Sequence, residues 1–461
     1  MARPVIVLGL DSIPPSLIFE RFLGVMPHMQ SLLERSTYGP LHTCHPPITI
    51  PAWAVMFTGV DPGTLGIYGI HQRKVGTYSG GYVPTPSHLL RPPIWSTLSK
   101  AGGRVAVLGM PPAYPAPRVN GISTGDFLTP DGVSDSVFPP EMKGPIEKAL
   151  GEPLLFDVPF RKEDRKTTLA DIWRLTRQRW ALARYVWKQG PWDFFAVHDI
   201  GPDRFHHAFW KFFNPSHPGY RPGNEFEKEA ERYYTMLDRE VGELLAVLPR
   251  DARILVASDH GTKSMQGCFA INEWLRRLGF LDIPGTPPPG TPLDKAGVHW
   301  SSTRAWATGG YYSRIFLNLR GREASGIVKE TEVEGLVREI TSKLSSLRTP
   351  EGLPFPVEVF PPDKLYREVH GDAPDLTAYF GNLDWRASGT VGHHNLFFAE
   401  NDTGPDDAVH DWNGIYVMTG TATPGLGPER SILDVAPTLL SMVGQRPDPS
   451  MQGTIIPEWI R

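Results

Sequence analysis

The stretch Val5-Ile6-Val7-Leu8-Gly9-Leu10-Asp11 is an unbroken apolar run that ends on a carboxylate. A run this short and this apolar suits a strand buried on both faces. Four more follow the same pattern: Val105-Ala106-Val107-Leu108, Phe194-Phe195-Ala196-Val197, Ile254-Leu255-Val256-Ala257 and Ile415-Tyr416-Val417-Met418. Segments with helical spacing lie between or beside them, around residues 15–35, 168–188, 225–248, 328–346 and 432–443. Strand then helix, repeated, predicts an α/β fold with a mostly parallel central sheet covered on both faces.

The polar residues that look chemical fall just after these runs. Asp11 follows the first, the segment His198 to His207 the third, and Asp259-His260 the fourth. The carboxyl ends of strands are where open α/β sheets bind ligands. Stretches rich in Gly, Pro, Ser and Thr, roughly 60–95, 110–165 and 265–312, read as insertions that form a small cover over a single catalytic domain spanning 1–461.

Composition narrows the possibilities. The chain has 461 residues, 40% apolar and 21% charged, close to soluble globular averages. Forty-six basic and 50 acidic residues give a net charge of −4 with no long run of one sign, a poor footprint for a nucleic-acid polymer. The run from Val5 to Leu10 is too short for a signal-peptide core or a membrane span, so the chain reads as cytoplasmic and without a membrane partner. Oligomeric state leaves no trace in the sequence. With only Cys44 and Cys268, no cysteine-rich zinc site is possible, and a metal would sit on histidines and carboxylates.

In His45-Pro46-Pro47-Ile48-Thr49-Ile50-Pro51-Ala52-Trp53 a proline-rich approach turns into an apolar helix. Thr49 stands two residues before Pro51, a residue suited to a first helical turn, and is a candidate N-cap. The same position offers backbone donors and the positive end of the helix dipole to a phosphate, which makes Thr49 a candidate nucleophile. Asp203 and His207 are four residues apart and share one face of a helical turn, whereas His206 points elsewhere. Three strand-end carboxylates with several histidines at ligand spacing form a hard and borderline donor set that suits zinc, with manganese also possible.

Together these residues resemble the alkaline phosphatase superfamily, and within it the type I phosphodiesterase and nucleotide pyrophosphatase branch. The resemblance rests on Asp11, on Thr49 with Thr58-Gly59 and the Pro62 to Gly66 turn, on Asp203 and His207, and on Ser258-Asp259-His260-Gly261. It continues through His410-Asp411-Trp412-Asn413-Gly414-Ile415 and Asp434-Val435-Ala436-Pro437-Thr438-Leu439-Leu440. It implies an α/β/α sandwich and two divalent ions, one held by Asp11, Thr49, Asp259 and His260 and the other by Asp203, His207 and His410. Thr49 would attack a small phosphoester through a phosphothreonine intermediate. The Cys-x-Pro-x-Arg motif of sulfatases is not met, because Ile48 stands in place of its arginine.

Two features depart from the branch. Its Asn-His after Thr-x-Pro is Ala52-Trp53 here, and its phosphate-binding asparagine has no counterpart near Ile70. His71, Gln72 and Arg73 are the candidate replacements, with His71 and Arg73 assigned to substrate. His393-His394 competes with His410 for the last ligand position, and His410 fits the spacing to Gly414-Ile415 better. Trp53, Phe205, Phe209, Trp210 and Trp300 could stack on a leaving group, although most read as core. The alternatives to hydrolysis are a phosphomutase of the cofactor-independent phosphoglycerate type and a metal-binding homologue without turnover.

Overall fold

The computed structural model describes residues 3–401 and 403–460. The strand Val5–Leu10 runs at the centre of a ten-stranded sheet, parallel to Phe194–Asp199 on one side and to Arg253–Ala257 on the other. Val105–Leu108 and Gly121–Thr124 extend the parallel set beyond Phe194–Asp199. The register pairs Leu10 with Asp199 and Gly9 with Ala257, so three strands end level with one another. Asp11, the helix after Asp199 and Asp259 therefore start from a common edge, the carboxyl edge where the sequence pattern put the chemistry.

The five predicted strands all form, but the sheet is mixed. Asn413–Thr419 lies antiparallel to both Arg253–Ala257 and Ser36–His42. The reason is local. The chain reaches this strand from Ala408–Asp411, which pairs antiparallel with Gly261–Ser264 and sets His410 opposite Thr262. A chain leaving that ribbon continues in the reversed direction, and the ribbon brings His410 beside His260.

Val5–Leu10 and Phe194–Asp199 are buried along their whole length, which requires cover on both faces. The helices Arg165–Trp187, Gly201–Phe213 and Glu229–Leu245 pack on one another, and Thr49–Thr58 packs separately with Val435–Met442. The Thr49–Thr58 helix is buried at every position, and its Trp53 lies against the central strand. A Cβ added at Gly9 would stand 2.7 Å from the Trp53 ring and 3.1 Å from the Val197 carbonyl. Gly9→Ala is therefore expected to cost about 1–3 kcal/mol through overpacking, read as a lower denaturation midpoint with unchanged slope.

A second sheet of seven strands is built from residues 267–398. It has its own core of Phe269, Trp306, Phe316 and Phe380, against which Leu336, Ile340 and Leu344 of the Glu330–Ser345 helix pack. The stretch at 265–312, read from sequence as an insertion, supplies only the first strands of this layer. Of the others, Leu376–Phe380 pairs antiparallel with Ser313–Leu317 and Trp385–Ser388 pairs parallel with Gly267–Ala270, long-range pairings that local composition does not record.

Candidate metal centre and active site

Thr49 is the first residue of its helix. The cap position is Ile48, with extended backbone at φ −150° and ψ 142°, and no side chain caps the helix. The capping role read for Thr49 is thus corrected: its hydroxyl is turned into the protein and faces Asp11 and His260. Burial forces this, since the helix sinks its first turn against the strand ends.

Asp11 is fixed at its outer oxygen. Trp53 Nε1 donates to Oδ2 at 2.9 Å, and His198 Nε2 meets the same oxygen at 2.7 Å. The other oxygen, Oδ1, faces Thr49 Oγ1 at 3.5 Å and His260 Nε2 at 3.6 Å. Ser12, next in the chain, has φ +67°, a conformation few residues other than glycine adopt. That sharp turn lets the Ser12 N–H donate to Asp259 Oδ1 at 3.3 Å while its carbonyl accepts from Thr262 Oγ1 at 2.6 Å.

The helix Gly201–Phe213 carries Asp203 in its first turn and His207 one turn on. Their spacing works as the sequence implied, with His207 Nε2 at 3.2 Å from Asp203 Oδ1. His206 turns away to Tyr234 and Thr262. Arg204 anchors the second oxygen of Asp203 at 2.7 Å and is itself held by Asp157.

The three clustered histidines are oriented from behind. Nδ1 of His410 faces the Pro47 carbonyl at 2.7 Å, and Nδ1 of His260 the Gly261 carbonyl at 3.0 Å. A carbonyl only accepts, so each Nδ1 carries the proton and each neutral ring presents the Nε2 lone pair to the site. His207 Nδ1 meets Asp406 Oδ1 at 2.7 Å. Backing of this kind by carbonyls and carboxylates is how metal-ligating imidazoles are aligned.

The facing atoms, some of them within long hydrogen-bond distance, also have the spacing of ligands that share an ion. Ligands of a tetrahedral ion at 2.0–2.1 Å stand about 3.4 Å from one another. In one set, Thr49 Oγ1 is 3.5 Å from Asp11 and 3.4 Å from His260 Nε2, which is 3.3 Å from Asp259 Oδ2. In the other, His207 Nε2 is 3.3 Å from His410 Nε2 and 3.2 Å from Asp203 Oδ1, with 3.8 Å between His410 and Asp203. Asp203 Oδ1 and Asp259 Oδ2 are buried without a hydrogen-bond partner among the described residues. All seven side chains are 3% exposed or less.

Electrostatics agree. Burial and the neighbouring charge of Asp11 push the Asp259 carboxyl well above its ordinary range. Burial, His260 and His207 drive His410 well below its ordinary value, keeping it neutral. Three buried carboxylates, two of them with an unsatisfied oxygen, are costly unless cations compensate them. Two buried groups, Asp203 with His260 and His410 and Asp11 with Asp259 and His260, could each hold a metal ion.

His393 lies outside this cluster, with its Nε2 on Thr390 at 2.7 Å and its ring stacked on Phe398. The structure brings His410, not His393, to the other ligands. Of the candidate phosphate binders, His71 lines a cavity beside the site. Arg73 does not: it is buried against Glu323 at 2.7 Å and stacks over Phe316. Gln72 is tied to the Tyr68 N–H and the Gly69 carbonyl. Trp53, Phe205, Phe209 and Trp210 are core, and Trp300 stacks on Tyr78.

Sequence reasoning missed His198, Asp406 and Arg204. Asp406 stands four residues before His410, yet its partner is His207, 199 positions away. Burial opposes its ionisation, but His207, Arg386 and Arg161 hold the Asp406 carboxyl far below its ordinary range. Asp406→Asn is expected to lower metal affinity and turnover about 10- to 100-fold, measured by competitive chelation and initial rates.

The architecture is similar to that of phosphonoacetate hydrolase from Sinorhizobium meliloti 1021. Its complex with phosphonoformate gives a TM-score of 0.61 at 17% identity, and its complex with phosphonoacetate 0.62 at 16%. Each match covers 96% of this chain and 95% of the other, and at that identity it shows the fold alone. A family model described as type I phosphodiesterase / nucleotide pyrophosphatase matches residues 5–406. The chain belongs to that family and is a phosphoric ester hydrolase. No curated protein matches the chain. Among the described residues no helix is long and apolar enough to cross a membrane.

Proposed function

We propose that the chain hydrolyses phosphoric esters of small molecules, with Thr49 as nucleophile and two divalent ions, zinc by the donor chemistry, as cofactors. The observation that supports this most directly is the pair of ligand sets at 3.2–3.8 Å spacing, one of which includes the Thr49 hydroxyl itself. Asp11, Thr49, Asp259 and His260 would hold one ion; Asp203, His207 and His410 would hold the other. When bound, the ions supply charge compensation at the attacking and leaving oxygens and favour ionisation of the threonine hydroxyl.

The chain's own residues set the rest. His198 and Trp53 hold Asp11 at one oxygen so that the other faces Thr49. The start of the Thr49–Thr58 helix directs backbone N–H groups and the positive end of its dipole at the phosphoryl group. Thr49 Oγ1 bonds to phosphorus as the bond to the leaving alcohol breaks. Water then displaces the threonine oxygen, releasing the phosphoryl product and restoring the hydroxyl.

A metal-reconstituted assay with p-nitrophenyl phosphate and bis-p-nitrophenyl phosphate tests this reading. Free phosphate released in step with nitrophenol from the monoester is the expected result. Nitrophenol without free phosphate, with the phosphoryl group recovered on an added alcohol, would assign the chain to a mutase or transferase instead.

A further inference from the structure

A cavity of about 450 Å³ opens beside the metal centre, with Ile48, His71, Arg161, Tyr311, Arg314 and Arg386 in its wall. It adjoins the reacting groups at two points. Ile48 immediately precedes Thr49, and the Tyr311 ring stacks on His410 at 4.0 Å with its hydroxyl 3.4 Å from His207 Nδ1. Three guanidinium groups share this wall, and no Asp or Glu among the described residues lines it.

The charges do not cancel. Asp406, behind the wall, pairs with Arg161 at 2.7 Å and with Arg386 at 2.5 Å, and spends its other oxygen on His207. Arg314 has no carboxylate within ion-pair distance among the described residues. Its Nη1 donates to the His71 carbonyl at 2.7 Å and its Nε to Thr308 Oγ1 at 3.2 Å, both neutral acceptors. The guanidinium is thus fixed in direction but keeps its charge, and its Nη2 has no protein acceptor among the described residues. Among the described residues, three positive groups against one negative leave the cavity with an excess of two, in a site whose fork-shaped donors match an oxyanion.

We infer that this cavity is an anion subsite, and that the substrate is a phosphoric ester whose alcohol part carries a second anionic group, bound by Arg314 with support from Arg161. The inference rests on the hydrolase reading above and adds to it the class of leaving group. The phosphoryl group belongs at Thr49; the anion that neutralises the arginines lies on the far side of Tyr311. Arg386, buried against Asp406, acts as a positioning residue that keeps Asp406 between the subsite and His207.

The test compares kcat/KM of the metal-loaded enzyme for O-phosphorylated hydroxy acids of two to four carbons with that for their primary amides. A parallel arm compares diol bisphosphates with the corresponding monophosphates, which separates a carboxylate from a phosphate as the recognised anion. In at least one arm the anionic member is expected to be favoured by about tenfold or more. Arg314→Gln is expected to bring that ratio close to one, and Arg314→Lys to recover part of it. Calorimetric titration of the same esters into metal-loaded Thr49→Ala protein reads the preference without turnover and is expected to show the same ratios. Hydrolysis of p-nitrophenyl phosphate with no anion preference in either arm would overturn the subsite and leave the hydrolase reading standing. Absence of any hydrolysis would overturn the hydrolase reading, while the calorimetric ratios still decide the subsite. An Arg314→Gln protein that keeps the wild-type ratio would also overturn it.

Discussion

Thr49→Ala is expected to lower kcat on every accepted ester by at least about a thousandfold, with the fold and the second ligand set retained. The substitution removes the hydroxyl proposed to attack phosphorus, and it removes one member of the set formed with Asp11, Asp259 and His260. Its structural cost is small. The helix has no side-chain cap to lose, and alanine at the first helical position carries no propensity penalty. Stability within about 1 kcal/mol of wild type, beside a lost rate, would separate a chemical role from a structural one. Thr49→Ser keeps the hydroxyl and is expected to recover a measurable part of the activity.

Removing the ions is expected to have an effect of similar size. Chelation followed by desalting should lower turnover by at least about a thousandfold and the melting temperature by several degrees, both restored by added zinc or manganese. The stability change follows from the buried carboxylates, because Asp203 Oδ1 and Asp259 Oδ2 have no hydrogen-bond partner among the described residues and would lose the compensating charge of the proposed ions. Asp203→Ala should reduce bound metal from about two ions per chain to about one, measured by elemental mass spectrometry.

Acid should weaken binding, and the sign follows from the metal-free centre. Burial and Asp11 raise the Asp259 carboxyl, and Tyr311, Asp406 and Asp203 raise His207 despite its burial. Both groups then hold protons to higher pH than usual, and an ion must displace those protons to bind. Apparent affinity is expected to rise with pH until these groups are deprotonated and to level off above that.

Much of this centre was legible because its residues sit where strands stop. Asp11 and Asp259 each follow an apolar run, and the strands that carry them end in register. The four-residue spacing of Asp203 and His207 is a property of any helix and survived folding unchanged. Thr49 was ambiguous for a local reason: a threonine before a proline-started helix caps more often than it reacts, and only the fold shows that Ile48 takes the cap while Thr49 is buried beside Asp11 and His260. Asp406, the Pro47 carbonyl and Arg314 left no sequence signal. Their roles depend on partners 199, 363 and 243 positions away, brought together by the ribbon at 261–264 and 408–411 and by the second sheet. The same long-range pairing explains why Arg73 misled. It stands where an arginine could reach phosphate, but Glu323 from the second sheet's layer neutralises it.

The central claim is that Thr49 carries the phosphoryl group. Acid quenching of the metal-loaded enzyme during turnover of a phosphate-labelled ester, followed by peptide mapping, reads this directly. One phosphoryl group on the peptide containing Thr49, absent from the Thr49→Ala protein, is the predicted result. Full turnover with label on no residue of the chain, or with stable label on another side chain, would contradict it.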